Sequence, residues 1–495
     1  MQTPSKSEAP TGFAGFIAKF LVLRGALREL WLIFATKLLT LLAYGVMNFT
    51  LVLWLSSDLG YSDIGAGNVY AAWSVTMTLC TVAVGSLVDA IGLRKAFLLG
   101  VGICVLSRGM MTFATTPMLA LAGGLFPLAL GEALMTPVMV AAVRRYATTS
   151  QRSISYSLFY AMMNAGLGVA SLVFDWVRRG LGEHGHFTLP VAGITLSTYR
   201  TLFLLSFLLT LPSLLILYFG VREGAAAADY TEAEGGSGKA SPGSAPRGFF
   251  AAMKHSLLDA GRIFAGLWRQ SAFHKFLIFL SLVVAVRLIV YHMYNTYPKF
   301  GIRELGDGAP IGRLWSLNGF LIVFLVPIVG ALTQRISAYR MVIVGSSISA
   351  ASVFLMALPT HWFEPLAQGA LGHWVGHLWL GVRGPVHPYY LMILFYVLLL
   401  SLGEALWSPR LYEYSAAIAP KGQEASYMSM SYLPFFVAKL FVGMFSGMLL
   451  ARYCPETGPR HSETLWLIIA LTTLITPIGL LALRRHIQVH EAGRE

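Results

Sequence analysis

Leu130-Gly-Glu-Ala-Leu-Met-Thr-Pro137 and Leu402-Gly-Glu-Ala-Leu-Trp-Ser-Pro409 are two copies of one motif, 272 residues apart, each inside a long apolar stretch. Each copy places a lone carboxylate, Glu132 or Glu404, one to two helical turns before a proline. A charge in hydrocarbon is costly and is usually kept for a substrate or ion path. Parallel repeats with a binding site between the halves are a transporter architecture. The two copies therefore predict an all-α polytopic membrane protein made of two related halves.

The composition agrees. The chain has 495 residues, of which 56% are hydrophobic and 12% charged, and its mean hydropathy is +0.66. A soluble domain averages roughly 25% charged residues. Twelve apolar windows of about 20 residues, each long enough to cross a bilayer, fall at 30–55, 66–88, 96–115, 118–143, 153–177, 200–219, 272–297, 311–333, 340–358, 388–417, 425–451 and 464–484. They predict 12 transmembrane helices in two six-helix bundles, 30–219 and 272–484. Residues 1–29 form an N-terminal segment whose stretch 12–28 is amphipathic and basic, suited to a membrane surface. The linker 220–271 is rich in Gly, Ala, Ser and Pro over 221–248 and amphipathic again over 250–270, and 485–495 is a tail. The first span is too long for a cleavable signal peptide, so it is expected to stay as a helix.

A formal net charge of +13 on a soluble protein would point to nucleic acid. Here the cations cluster in alternate loops, which reads as topology instead. Arg94/Lys95, Arg144/Arg145/Arg152, the linker, Arg335/Arg340, Lys421 and Arg484/Arg485 share one side. Both termini are therefore expected in the cytoplasm, in a bacterial inner membrane, with the lipid bilayer and no nucleic acid as partners. Arg178/Arg179, Lys299/Arg303 and Arg383 break this pattern. The three cysteines give no disulfide framework or metal spacing. His373 and His377 are four apart but lack a further ligand, so no metal is expected. No nucleotide-binding loop, nucleophile elbow or zinc-protease motif is present, so neither enzyme chemistry nor a cofactor is expected.

The repeat extends to Gly85-Ser-Leu-Val-Asp-Ala-Ile-Gly-Leu-Arg-Lys95, which aligns with Gly330–Arg340 at an offset of 245. The segment 85–95 resembles the signature between helices 2 and 3 of the major facilitator superfamily. That resemblance implies the major facilitator fold and rocker-type alternating access. Gly85, Asp89, Gly92, Arg94 and Lys95 are then the switch motif: Gly85 permits close helix contact, and Asp89 pairs with Arg94 or a neighbouring helix terminus. The second copy is weakened, with Gln334 for Asp89 and Ser337 for Gly92.

Further segments resemble the proton-coupled oligopeptide transporters of that superfamily. These are Tyr156-Ser-Leu-Phe-Tyr-Ala-Met-Met-Asn-Ala-Gly166, Ser316-Leu-Asn318 with Pro327, Gly403-Glu404 with Ser408-Pro409 and Ala419-Pro420, and Tyr44-Gly45. The resemblance implies that Glu404 receives a substrate's amino group and adds Asn164 and Asn318 to the site candidates. This chain also departs from the family. The Glu-x-x-Glu-Arg places of the first helix hold Thr36, Leu39 and Thr40, the helix 4 lysine is Thr136, and a helix 2 tyrosine is Thr78.

Helical geometry suggests a replacement. Lys37, Tyr44 and Asn48 share one face at spacings of seven and four. Lys37 then either restores the lost positive charge or snorkels to the interface. Arg287 sits mid-span and needs an anionic partner, for which Glu404 and a substrate carboxylate are the candidates. Tyr291 and Tyr294, four and seven residues on, share the face of Arg287 in a stripe suited to a cavity wall, although Tyr294 and Tyr297 read rather as interfacial aromatics at the outer end. Glu132, the pseudo-symmetry mate of Glu404, is either a second proton carrier or a packed glutamate. Arg108 has no evident partner, and Arg410 and Glu413 form a gate network or a simple helix pair.

Together these readings predict a secondary transporter, functional as a monomer, that takes up a small peptide-like zwitterion with protons. Glu404 would hold the amine, Arg287 or Lys37 the carboxylate, and Glu404 and Glu132 the proton. A multidrug or other organic-solute proton antiporter is the alternative within transport, although Gly166-Leu-Gly168 lacks the proline of the glycine-proline-rich helix 5 motif typical of drug/proton antiporters. A non-transporting membrane sensor on the same fold is the alternative outside it.

Overall fold

The computed structural model describes residues 22–190, 193–222, 224–229, 258, 262, 265–333, 336–418 and 433–488. Among these, twelve long helices fall into two sets of six. The first half holds α1 (Arg28–Ser57), α2 (Asp63–Ile91), α3 (Leu93–Phe113), α4 (Phe126–Tyr146), α5 (Thr149–Leu181) and α6 (Thr198–Leu215). The second holds α7 (Ser271–Asn295), α8 (Ile311–Leu332), α9 (Ala338–Phe354), α10 (Tyr389–Ile418), α11 (Leu433–Tyr453) and α12, built as Ser462–Thr473 and Ile475–Ala482. Ten of them, taken with the helical turns that continue them, are long and apolar enough to cross a membrane. The protein is thus an integral multi-pass membrane protein. Most of the amphipathic stretch 12–28 and of the linker, and Ala419-Pro420 with Lys421, lie outside the described residues.

Both the α2–α3 turn and the residues following α6 lie on one side, here termed the linker face; the opposite side is the far face. On the linker face the turns are tight. Gly92 joins α2 to α3 at φ +82°, a left-handed conformation that favours glycine. Its repeat mate Ser337 adopts φ −61° and instead caps α9, accepting the Arg340 N–H at 3.3 Å. The two copies therefore turn by different means, which accounts for the altered second signature. Thr148 opens α5 with a capping box completed by Gln151. On the far face a small hairpin, β1 (His186–Thr188) antiparallel to β2 (Thr195–Ser197), leads into α6.

The repeated Leu-Gly-Glu motif has a packing basis. A Cβ at Gly131 would lie 3.1 Å from the Gly100 carbonyl oxygen of α3, and one at Gly403 would lie 2.7 Å from that of Gly345 in α9. Each motif glycine thus lets its helix press against the preceding one, and Gly100 and Gly345 are themselves 245 residues apart. The halves meet along α5 with α8 and α2 with α11. Glycines permit this too: a Cβ on Gly319 would sit 2.7 Å from the Asn164 carbonyl oxygen, and one on Gly443 2.8 Å from the Ala71 Cβ.

Candidate functional site

A cavity of about 230 Å3 lies between the halves, walled by α1, α5, α7, α8, α10 and α11. Its charged lining residues are Glu404, Arg287 and Lys439; the neutral polar ones include Tyr44, Asn48, Asn164, Tyr291 and Asn318. Tyr44 and Asn48 lie one turn apart on α1, and Asn164 is steadied by donating to the Tyr160 carbonyl at 3.0 Å.

Glu404 projects from α10 and is 9% exposed. The Asn318 amide donates to its Oε2 at 3.1 Å and to Ser401 Oγ at 3.1 Å, so one α8 side chain orients the carboxylate against α10. A carboxylate offers about four acceptor sites, which leaves capacity for a cation. The Arg287 guanidinium lies 4.4 Å from the Trp407 ring centroid, and Trp407 is fixed by donating to Ser349 Oγ at 3.1 Å. The Lys439 ammonium lies 5.5 Å from the Tyr291 ring centroid. Lys439 was missed in the sequence, although a lone lysine in the apolar run 433–450 is the same kind of signal as a lone glutamate.

The two repeat glutamates differ. Glu132 does not line the cavity; Arg108 Nη2 meets its Oε1 at 2.6 Å and Arg108 Nη1 meets Thr210 Oγ1 at 2.5 Å. The partner of Arg108 was not evident from the sequence. The position 245 residues beyond Arg108 is Val353, so α9 offers Glu404 no equivalent arginine. The symmetry of the motif is broken by its neighbouring helix.

Lys37 is also outside the lining. It is 4% exposed and its ammonium lies 4.3 Å from the Phe159 ring centroid, so it is packed on α5 rather than extended to an interface. The interfacial reading of Tyr294 and Tyr297 is corrected. Tyr294 lines the cavity and meets Phe49 at 4.9 Å between ring centroids, while the buried Tyr297 donates to the Ile311 carbonyl at 2.9 Å. Tyr294 lies two turns beyond Arg287 on the same face of α7, and Tyr297 opens the short helix Tyr297–Leu305. Arg410 pairs with Glu413 at 2.6 Å and also donates to Thr333 O and Oγ1 at 2.9 Å, tying α10 to the end of α8.

In the switch motif, Arg94 donates to the Tyr218 carbonyl at 2.8 Å, linking α3 to the end of α6, and Lys95 is exposed. The side chains of 85–90, Asp89 among them, lie outside the described set. Among the described residues no three His, Cys, Asp or Glu side chains form a metal-binding group.

The far face carries two polar clusters that join the halves. Asp63 at the start of α2 receives Lys299 at 2.7 Å and a two-bond clasp from Arg303, both bonds 2.9 Å. Asp175 of α5 accepts the Gly312 and Arg313 N–H groups at 2.9 and 2.7 Å, capping the positive end of α8. Beside it, Arg178 pairs with Asp175 at 3.3 Å and with Glu183, which also accepts from Tyr199 at 2.8 Å and from the Gly308 N–H at 3.2 Å. Burial opposes ionisation of Glu183, but Arg178 and these donors outweigh it and hold the carboxyl below its usual range. Arg179 donates to the Leu380 and Gly381 carbonyls at 2.9 and 3.0 Å. The cations that break the loop-charge pattern are thus structural, except for Arg383, for which the structure gives no such contact.

The model of the Major Facilitator Superfamily matches residues 33–384. No curated protein sequence matches the chain. Among solved structures, a proton dependent oligopeptide transporter aligns at 15% identity over 93% of this chain and 98% of its own, with TM-score 0.64. A POT family transporter in complex with 5-aminolevulinic acid aligns at 14% identity over 93% and 97%, with TM-score 0.66. A peptide transporter POT in complex with sulfate aligns at 17% identity over 93% and 95%, with TM-score 0.67. At these identities the likeness concerns the fold.

Proposed function

The chain belongs to the Major Facilitator Superfamily, and on that premise we propose that it is a secondary transporter moving small zwitterionic solutes such as di- or tripeptides by alternating access, coupled to protons. The observation that carries this reading is the cavity shared by both halves, with Glu404, Arg287 and Lys439 on its walls. Glu404 receives the ammonium group and Arg287 the carboxylate. Tyr44, Asn48, Asn164, Tyr291 and Asn318 supply the neutral contacts. At about 230 Å3 the cavity lies below the roughly 300–1,000 Å3 of drug-sized ligand sites, which suits a small solute.

Glu404 also exchanges the coupling proton, because its charge state decides whether it holds an ammonium group. Glu132 takes part by exchanging Arg108 for a proton. Lys37 stands behind the lining and acts on Glu132 through its charge. Arg287 and Lys439 disfavour the alternative of cationic drug export. Gly85, Asp89, Gly92, Arg94 and Lys95 form the hinge of the switch on the linker face, which we assign to the cytoplasm of a bacterial inner membrane. The protein works as a monomer.

Uptake of labelled Ala-Ala into proteoliposomes, with and without an inward proton gradient, tests this reading. The expected result is accumulation driven by the gradient and reduced by at least about tenfold in Glu404→Gln. Equal accumulation by wild type and Glu404→Gln would overturn the role given to the carboxylate.

A further inference from the structure

Among the described residues, the charges around the cavity do not balance. Arg287 and Lys439 face it beside a single carboxylate, Glu404. Behind the wall, Glu132 is already bonded to Arg108. Lys37 and Lys439 lie within electrostatic reach of that same glutamate. Among the described buried residues around the cavity, therefore, the cations Lys37, Arg108, Arg287 and Lys439 stand against the carboxylates Glu132 and Glu404. Letting Arg108 offset Glu132 and Arg287 offset Glu404 leaves Lys37 and Lys439 in surplus. Of these two, only Lys439 lines the cavity; Lys37 is stacked on Phe159.

A surplus ammonium in a low-dielectric space is costly unless a counter-charge joins it. Tyr291 supplies only a ring face, whose attraction for a cation is smaller than that of an anion. Among the described residues the carboxylate within electrostatic reach of Lys439 is Glu132, already bonded to Arg108, which leaves the cavity itself as the place for an anion. A simple zwitterion brings one ammonium for Glu404 and one carboxylate for Arg287, and so leaves Lys439 as it was. A solute with one more acidic group completes the set.

Resting on the peptide-transport reading above, we propose that the site selects solutes with an excess negative charge, acidic dipeptides in particular, and that Lys439 is the specificity-determining residue that receives the second carboxylate. The preference arises because the acidic side chain meets a desolvated ammonium, whereas a neutral one leaves that ammonium unmatched and a basic one repels it.

The test is ligand-dependent thermal stabilisation of the purified full-length protein, followed by competition in proteoliposomes, using Ala-Glu, Ala-Ala, Ala-Lys and glutarate. Ala-Glu is expected to act at a concentration at least about tenfold lower than Ala-Ala, with Ala-Lys weakest. In Lys439→Met, and in Lys439→Gln as a polar control for folding, the Ala-Glu to Ala-Ala ratio is expected to fall to near unity. The wild-type series needs no variant and decides the matter alone: Ala-Ala equal to or better than Ala-Glu overturns the proposal. A ratio that persists in both variants removes Lys439 from the role. Stabilisation by glutarate and by none of the dipeptides would defeat the peptide reading while upholding selection for excess acid. No effect from any of the four probes would overturn both.

Discussion

At the residue scale, what a buried charge does is decided by its partner. Glu132 and Glu404 occupy equivalent motif positions, yet only Glu132 meets an arginine on the preceding helix of its own half, because Arg108 stands on α3 where α9 has Val353. The Arg108–Glu132 pair has side chains only 1% and 13% exposed. Replacing one member leaves the other charge buried, which costs roughly 3–5 kcal/mol, whereas replacing both by apolar groups costs less. Arg108→Leu is therefore expected to lower the melting temperature in detergent more than the double variant Arg108→Leu/Glu132→Leu does. A double variant as unstable as the sum of the two single ones would contradict a coupled pair. Glu404 was legible in the sequence because a lone acid in an apolar run stands out. Lys439 carries the same signal but lies outside the repeated motif, which does not mark it. The pairing of Arg108 with Glu132 was not legible, since it joins two helices through a contact 24 residues apart that neither span's pattern encodes.

At the element scale, hydropathy located the spans because a membrane helix must keep its apolar surface and satisfy its own backbone hydrogen bonds. The window 311–333 became Ile311–Leu332, for example. What hydropathy does not encode is rotation. Tyr294 and Tyr297 read as interfacial by their place near a helix end, yet Tyr294, seven residues from Arg287 and so on its face, lines the cavity, and Tyr297 is buried. Close helix approach is set by small residues. A side chain at Gly319 would meet the Asn164 carbonyl and the Gly168 backbone at 2.7–2.9 Å. Gly319→Leu is expected to destabilise the protein by about 1–3 kcal/mol through overpacking between α5 and α8. Thermal or denaturant unfolding in detergent checks this, and an unchanged stability would mean that the helices are not so close.

At the scale of the whole molecule, the far-face clusters hold the two halves together. Asp63 on α2 binds Lys299 and Arg303 of the second half, and Asp175 caps α8 across the same divide. Read as loop charges, these cations contradicted the topology pattern; as interhalf ion pairs they explain why they sit on that side. Arg178→Gln leaves Asp175 and Glu183 without their shared cation. It is expected to loosen far-face closure, raising the thiol-labelling rate of a cysteine introduced at the exposed Asp307, with the free cysteines Cys80, Cys104 and Cys454 removed, relative to the same cysteine in an otherwise wild-type protein. The pH dependence has a definite sign. Glu183 is held below its ordinary value of 4.5 in the folded state, so its contribution is fully present above that value and is lost as pH falls through the lower folded value. The contribution of Glu183 is therefore expected to be constant from about pH 5 to 8 and to fade only in stronger acid, so that labelling in Glu183→Gln should lose its difference from wild type only there. Labelling of the same introduced cysteine as a function of pH checks this.

The most direct test of the account, in which a solute cavity between two rocking halves is closed on its far face, is a distance measurement across that face. Spin labels would replace the exposed His184 and Arg383, with the free cysteines Cys80, Cys104 and Cys454 removed. The account predicts a short distance at rest, a second, longer population when a transported solute and protons are supplied, and a shift toward that longer population in Arg178→Gln. One unchanging distance in a protein that still carries solute would contradict it.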